Sequence, residues 1–183
     1  MTDSDEFQGL VRASDIAANE STFCHPWNEK SEITGTRMSE HGGLSRTGVS
    51  RVRIQPGKES FAYHTHHFEE EWIYILSGRG MAKIDGKEYE MGSGDFVAFP
   101  TPSVAHLMSN PFDEELVYLM GGEALDHEVA DFPELDKRMV RTGEQMDIYN
   151  LSDTKPFFEP GEPGNQVRMQ DIDRDKGGRL VRR

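Results

Sequence analysis

The sequence contains little cysteine, little positive charge and no long apolar run. Cys24 is the only cysteine, so the chain can form neither an intramolecular disulfide nor a cysteine-rich metal site. The 33 acidic residues outnumber the 20 lysines and arginines, and the net charge of −13 repels nucleic acid and anionic membranes. No apolar stretch approaches the ~20 residues of a membrane-spanning helix. We therefore expect no nucleic-acid partner and no membrane partner, and any bound metal would need nitrogen and oxygen ligands.

The length of 183 residues fits one ordinary domain with additional segments at its ends. Apolar residues concentrate between Val49 and Leu119, which predicts a central core. The N-terminal stretch MTDSDEFQGL lacks the basic-then-apolar pattern of a secretion signal, so a cytoplasmic location is expected. We predict an N-terminal arm over residues 1–45, a barrel over 46–122 and a C-terminal extension over 123–183 with a flexible tail.

Short alternating runs of apolar and β-branched residues, separated by Gly, Pro, Asn and Asp, begin near Gly48 and predict strands. The predicted strands cover 49–54, 59–65, 71–76, 80–84, 87–91, 95–99, 104–109 and 115–120. Eight short strands without intervening helices favour an all-β antiparallel sandwich or barrel over a parallel α/β sheet. Asp85-Gly86 predicts a two-residue hairpin turn, in which both central residues need positive φ.

The polar segments at the two ends allow fewer predictions. ASDIAANE, residues 13–20, favours one or two helical turns, and GTRMSEHGG, residues 35–43, reads as a loop. We expect the C-terminal extension to pack on the barrel or on a partner subunit, anchored by Phe132, Phe157 and Phe158.

Three histidines and three glutamates lie within the eight residues from His64 to Glu71. Residues two apart on a strand point to the same face, so His64 and His66 project together. A carboxylate from Glu69, Glu70 or Glu71 on the following strand offers a third ligand. Both faces of that next strand carry apolar residues, so alternation alone does not choose among the glutamates.

A further histidine, His106, follows a proline-rich turn and offers a fourth ligand. His67 has the wrong parity to join His64 and His66. His25, His41 and His127 lie in polar segments, where a lone surface histidine is the favoured interpretation.

Two ordered patterns in the chain resemble the motifs of the cupin superfamily. GKESFAYHTHHFEEEWIYILSG, residues 57–78, resembles the first motif, G-x5-H-x-H-x3or4-E-x6-G. GDFVAFPTPSVAHLMSN, residues 94–110, resembles the second, G-x5-P-x-G-x2-H-x3-N. The spacing of six residues before Gly78 selects Glu71 rather than Glu70 by resemblance.

The resemblance implies a double-stranded β-helix, a small jelly-roll-like barrel with a metal inside one end. It further implies that His64, His66, Glu71 and His106 bind one divalent ion per chain, with zinc, iron, manganese and nickel all compatible with such ligands. "LVYLMGGE" followed by "HEVADFPELDKRMVR" also resembles single-barrel cupins whose extension carries a D-[YF]-P element.

A three-histidine, one-glutamate centre leaves open positions on the metal, which favours an enzyme acting on a small oxygen-rich molecule. Dioxygenase-, isomerase- and decarboxylase-like reactions all remain open. The alternatives are a non-catalytic small-ligand or sensor module and a metal with a purely structural role. Phe61, Tyr63 and Lys83 neighbour the site in sequence, but no catalytic residue is assigned.

Trp72, Tyr74 and Leu76 face away from the proposed metal side of their strand. A monomer would need its own arms to cover these apolar residues. Together with the family resemblance, this favours a homodimer.

Overall fold

The computed structural model describes residues 7–155 and two further strands, Ile172–Arg174 and Leu180–Arg182. The chain divides into two compact units, Met1–Ser152 and Asp153–Arg183. In the second unit the two described strands pair antiparallel. Phe157 and Phe158, predicted as anchors, lie outside the described residues, as does most of the tail expected to be flexible.

Residues 7–153, as far as the structure describes the chain there, contain thirteen strands, two short helices and two 3₁₀ turns. The strands are β1 (Ser21–Phe23), β2 (Ile33–Arg37), β3 (Thr47–Ile54), β4 (Thr65–His66), β5 (Glu71–Ser77), β6 (Arg79–Ile84), β7 (Lys87–Gly92), β8 (Phe96–Phe99), β9 (His106–Ser109), β10 (Leu116–Glu123), β11 (His127–Phe132), β12 (Lys137–Thr142) and β13 (Gln145–Asn150). The helices are α1 (Ala13–Ala18) and α2 (Met38–His41), and the 3₁₀ turns are Pro133–Leu135 and Leu151–Asp153. No helix among the described residues is long and apolar enough to cross a membrane.

The strands form antiparallel sheets, which confirms the all-β prediction. Six strands are ordered β1-β2-β3-β10-β5-β8, three are ordered β7-β6-β9, and four are ordered β13-β12-β11-β4. One apolar core lies between the six-stranded and three-stranded sheets, because Ile54, Ile75 and Leu116 of the first pack in one cluster with Ala82 and Met108 of the second. Alternate residues of β3 (Val52 and Ile54) and of β10 (Leu116 and Tyr118) supply this core, as expected for strands with one buried face.

The turn at Asp85-Gly86 has the predicted geometry. Asp85 has φ +49° and Gly86 has φ +73°, and Ile84 pairs with Lys87 across the turn. Positive φ at both central residues is characteristic of the tight hairpin turn that Asp-Gly favours.

The predicted continuous strand over 59–65 is wrong. Only Thr65–His66 forms a named strand there, with isolated bridges at Glu59 and His64. The intervening carbonyls are bonded by side chains from the N-terminal region: Asn28 Nδ2 donates to Phe61 O at 2.5 Å, and Ser31 Oγ donates to Ser60 O at 2.6 Å. These bonds replace a regular strand ladder over residues 60–63.

The predicted loop over residues 35–43 is also wrong. β2 pairs with β3, and α2 follows it directly. Gly35 permits this close pairing, since a Cβ there would lie 2.2 Å from the backbone oxygen of Arg51. Two strands, β1 and β2, therefore precede residue 46, and β11, which follows residue 122, pairs with β4. The predicted division into an arm, a barrel and an extension at residues 46 and 122 stays a prediction.

Candidate metal centre

Four side chains converge at one end of the barrel. His64 precedes β4, His66 ends it, Glu71 begins β5 and His106 begins β9. One ligand atom from each lies within 4.8 Å of the others. We call these four residues the His/Glu cluster. They are the four that the sequence patterns selected.

Backbone pairing places the histidines. The N–H of His64 donates to His106 O at 3.2 Å, and the N–H of His106 donates to His64 O at 2.9 Å. Their ring centroids are 4.7 Å apart. The His66 ring, two residues further along the extended chain, lies 4.9 Å from the His64 ring, so the predicted same-face arrangement is present.

Glu71 completes the cluster, whereas Glu70 lies outside it. Glu71 Oε2 lies 3.1 Å from His106 Nε2 and 3.3 Å from His66 Nε2. Glu70 is exposed, and its backbone N–H donates to Glu123. Glu71 lies on the same face of β5 as the fully buried Ile75, and Glu70 does not.

Hydrogen bonds fix the orientation of two imidazoles. His64 Nδ1 lies 2.7 Å from Ala62 O, and His106 Nδ1 lies 2.9 Å from Val104 O. A carbonyl only accepts, so each Nδ1 carries the proton and each Nε2 keeps its lone pair for a ligand bond. The ring of Phe99 stacks on that of His106 at 3.7 Å, and Phe132 stacks on His64 at 5.9 Å.

His66 shows most directly that a divalent metal ion fits. Both of its ring nitrogens are buried, and neither makes a hydrogen bond to the part of the chain that the structure describes. Buried polar atoms without partners are rare in proteins. Three imidazoles and one carboxylate form a donor set suited to zinc, iron, manganese or nickel, and an ion would satisfy His66 Nε2.

The ionisation of the cluster also suits a cation. Burial lowers the pKa of His64 to about 3, with the neighbouring His106 and His66 acting in the same direction. Burial opposes ionisation of Glu71, but the adjacent imidazoles of His106 and His66 outweigh it and hold the pKa of that carboxyl well below its usual range. At neutral pH the site presents a neutral His64 and a charged Glu71, the forms that bind metal.

Metal-free protein should lose stability as the pH falls from 7 towards 4. Below about pH 6.5 the unfolded chain protonates His64 while the folded chain, with its pKa near 3, does not, so protonation favours unfolding. The lowered pKa of Glu71 adds to this loss below pH 4.5. Thermal unfolding of chelator-treated protein measures it: His64→Gln should show a shallower decline in Tm than wild type, and parallel declines would contradict the assignment.

His66 also lies in a second group, with Glu69 and Glu128, whose ligand atoms are within 4.8 Å of one another. Glu128 is fully buried, and its carboxylate accepts backbone N–H bonds from His67, Glu69 and Val129 at 2.6–2.9 Å. Glu69 accepts from Leu125 N at 2.7 Å and from Arg141. These oxygens are already engaged by protein donors, so the two glutamates hold the loop between His66 and Glu71.

The sequence reasoning missed Glu128. Its Oε1 lies 3.9 Å from His66 Nδ1. Glu128, Ala130 and Phe132 are the buried alternate residues of β11. That alternation in HEVADF would have indicated an inward-facing glutamate.

The remaining histidines lie outside the cluster. His67 bonds Asp131 at 2.9 Å, while His41 and His127 are exposed as predicted. The surface assignment of His25 is wrong, because its ring packs against Trp27 and Phe132.

The three residues flagged near the site have different positions. Phe61 lines the cavity beside the cluster. Tyr63 accepts a bond from Gly86 N, and Lys83 lies over the Tyr63 ring and pairs with Glu134 at 2.5 Å. Neither Tyr63 nor Lys83 lines the cavity.

This cavity measures about 40 Å³, space for roughly three water molecules. Its polar lining comes from Ser60, His64, Glu71, His106 and Tyr118. Its apolar lining comes from Phe61, Trp72, Ile73, Leu107, Met108, Met120 and Gly121. A ligand that reaches the cluster therefore places only a few atoms inside.

Comparison with known proteins identifies related domains. The family model of the cupin domain matches residues 50–122. An uncharacterized protein of Methanocaldococcus jannaschii is 38% identical over 57 residues, 31% of this chain and 45% of that protein, so the match spans less than half of this relative.

Solved structures extend the similarity. A "putative sugar phosphate isomerase" from Acidithiobacillus ferrooxidans is 34% identical with a TM-score of 0.79, covering 83% of this chain and 98% of that one. A sugar phosphate isomerase from a cupin superfamily, from Silicibacter pomeroyi, is 25% identical with a TM-score of 0.67, covering 74% and 87%. A predicted oxalate decarboxylase from Thermotoga maritima, 24% identical with a TM-score of 0.54 over 63% and 99%, shares the fold.

Proposed function

Because the chain belongs to the cupin superfamily, we propose that it is a divalent-metal enzyme that isomerises a small oxygen-rich molecule at the His/Glu cluster. The observation that carries the proposal is the convergence of four ligand atoms within 4.8 Å beside a cavity. His64, His66, Glu71 and His106 would hold the ion. When bound, it would act as a Lewis acid that polarises a substrate oxygen.

The charge of the site supports an oxygen ligand. Neutral imidazoles and one carboxylate would leave a divalent ion with a net positive charge, which favours a substrate carboxylate or a hydroxyl beside a carbonyl. The rest of the cavity wall is largely apolar. An oxygen-bearing end of the substrate would therefore be drawn to the cluster rather than to the walls.

Isomerisation is favoured over dioxygenase or decarboxylase chemistry by two relatives. The structures from Acidithiobacillus ferrooxidans and Silicibacter pomeroyi both carry sugar phosphate isomerase in their names, and this chain covers most of each. A phosphorylated sugar exceeds a cavity of about 40 Å³, so its hydroxy-carbonyl end would enter while its phosphate stayed outside.

Deuterium incorporation tests the reaction. Isomerisation of a hydroxyaldehyde to a hydroxyketone moves a hydrogen between adjacent carbons. If it moves as a proton, a substrate turned over in D₂O acquires deuterium, and if it moves as hydride, the substrate is interconverted without exchange. Protein loaded with Mn²⁺, Zn²⁺, Fe²⁺ or Ni²⁺ is incubated with a panel of aldose and ketose phosphates and followed by NMR. We expect exchange that disappears with chelation and in Glu71→Gln but persists in Glu70→Gln.

Absence of both aldose–ketose interconversion and exchange in metal-loaded protein would overturn the isomerase assignment. Binding of a sugar phosphate without turnover would instead indicate the non-catalytic ligand-binding alternative. Bound metal without ligand binding would indicate a structural metal.

We also propose a homodimer formed through the outer face of the β10-β5-β8 sheet. Trp72, Tyr74, Phe96 and Leu119 line an apolar depression of about 320 Å³ there, and Phe96 is 60% exposed. A second copy would bury these side chains. The cytoplasmic location stays a prediction.

The mass in solution tests this assembly. We expect light scattering to give twice the 20.7 kDa chain mass for wild type and about the chain mass for Phe96→Asp, because a charge on this face opposes its burial. Tyr89→Asp, an exposed aromatic on β7, is the matched control. A wild-type monomer would contradict the homodimer.

A further inference from the structure

The hydroxyl of Tyr118 is a polar group of the cavity that has no hydrogen-bond partner among the described residues. Tyr118 lies on β10 between Val52 of β3 and Ile75 of β5, and it is 1% exposed. Its side chain lines the same cavity as Glu71, His64 and His106. The ring therefore packs in the core, and its hydroxyl can bond a molecule in the cavity beside the His/Glu cluster.

This hydroxyl makes no hydrogen bond to any residue in the described part of the chain. Among the described residues, the side-chain nitrogen and oxygen atoms that are both fully buried and without a hydrogen bond belong to Arg53 and His66. The Tyr118 oxygen also lacks a hydrogen bond but is not one of these atoms, so part of its surface is accessible. In a residue that is 1% exposed and lines the cavity, that surface faces the cavity. Buried tyrosine hydroxyls normally have a partner, and here a molecule in the cavity can supply one.

The hydroxyl is held in its protonated, donating form. A tyrosine hydroxyl is protonated at neutral pH, and burial raises the pKa of Tyr118 further. The residues around it offer few other donors, because most of the cavity wall is apolar.

We propose that Tyr118 is a substrate-binding residue whose hydroxyl donates a hydrogen bond to an oxygen of a small hydroxy acid or hydroxyaldehyde in the cavity beside Glu71. This inference rests on the proposed function, since it assigns the substrate oxygen to the same site. It adds a selection rule: a substrate that lacks an oxygen at this position leaves the Tyr118 hydroxyl unpaired and binds more weakly.

Tyr118→Phe tests the role of the hydroxyl, because it removes one oxygen and preserves the ring. The probe is glycolate, the smallest 2-hydroxy acid, titrated calorimetrically into Mn²⁺-loaded protein. One lost hydrogen bond should raise the Kd for glycolate about fivefold to tenfold. Tyr89→Phe, on β7 and 48% exposed, removes the same atom outside the cavity and should leave the Kd unchanged.

Stability and metal content separate this role from a structural one. The hydroxyl has no partner in the described chain, so Tyr118→Phe should keep the wild-type Mn²⁺ content and a Tm no lower than wild type. A lowered Tm, or a Kd equal to that of Tyr89→Phe, would overturn the role of Tyr118. Failure of Mn²⁺-loaded wild type to bind glycolate would also overturn it, whereas failure of wild type to bind any metal would overturn the proposed function itself.

Discussion

The Glu71→Gln variant is expected to lose its divalent metal ion, with an affinity more than about a hundredfold below that of wild type. Loss of a residue that merely supports a ligand costs ~10–100-fold, and Glu71 would be a ligand itself. Its carboxylate lies within 3.1–3.3 Å of two imidazole nitrogens. The glutamine amide has the same shape as the carboxylate but no negative charge. The ion would then be held by three imidazole nitrogens without a charged ligand. Competition with a fluorescent chelator measures the affinity.

Glu70→Gln is the matched control for this loss. It removes the same charge from the adjacent residue, but its side chain is exposed and outside the cluster. We expect its metal affinity to stay within about twofold of wild type, since surface charges are screened. Equal losses in the two variants would show that net charge, rather than coordination, holds the ion.

The Glu128→Ala variant is expected to lower the free energy of unfolding by about 3–5 kcal/mol. Its fully buried carboxylate accepts backbone N–H bonds from His67 and Glu69 within the loop, and its removal leaves these donors without their partner. Since this loop joins His66 to Glu71, metal affinity should fall together with stability. Chemical denaturation of metal-free protein gives the stability change directly.

Two further variants test whether the loss of unfolding free energy is specific to the Glu128 carboxylate. Glu88→Ala, at an exposed position of β7, should change the unfolding free energy by less than about 0.5 kcal/mol. Glu128→Gln keeps one acceptor oxygen and should fall between wild type and alanine. A wild-type value for Glu128→Ala would show that the loop is held by other contacts.

The local features of the fold could be predicted from the sequence. The Asp85-Gly86 turn depends on two neighbouring residues and their φ angles. The pairing of His64 with His66 depends on the twofold period of an extended chain. Both are properties of a short segment, so tertiary contacts did not override them.

Features set by distant residues could not be predicted. The chain departs from a strand near residues 60 and 61, where Ser31 and Asn28 bond the carbonyls of Ser60 and Phe61. Glu71 could be chosen over Glu70 only by resemblance to a family, since the outer face of β5 carries Trp72 and Tyr74 and is as apolar as its inner face. Only the packed structure shows which face reaches the core.

The same limit applies to Glu128. It lies more than fifty residues from the loop whose backbone it bonds. Its pattern in β11 indicates a buried face but does not say which loop that face meets.

The claim that the four residues hold one divalent ion is tested most directly by anomalous diffraction from crystals grown with Zn²⁺. The account predicts a single strong peak about 2.0–2.2 Å from a nitrogen of His64, His66 and His106 and from an oxygen of Glu71. A peak among His66, Glu69 and Glu128, or no peak beside the His/Glu cluster, would contradict it.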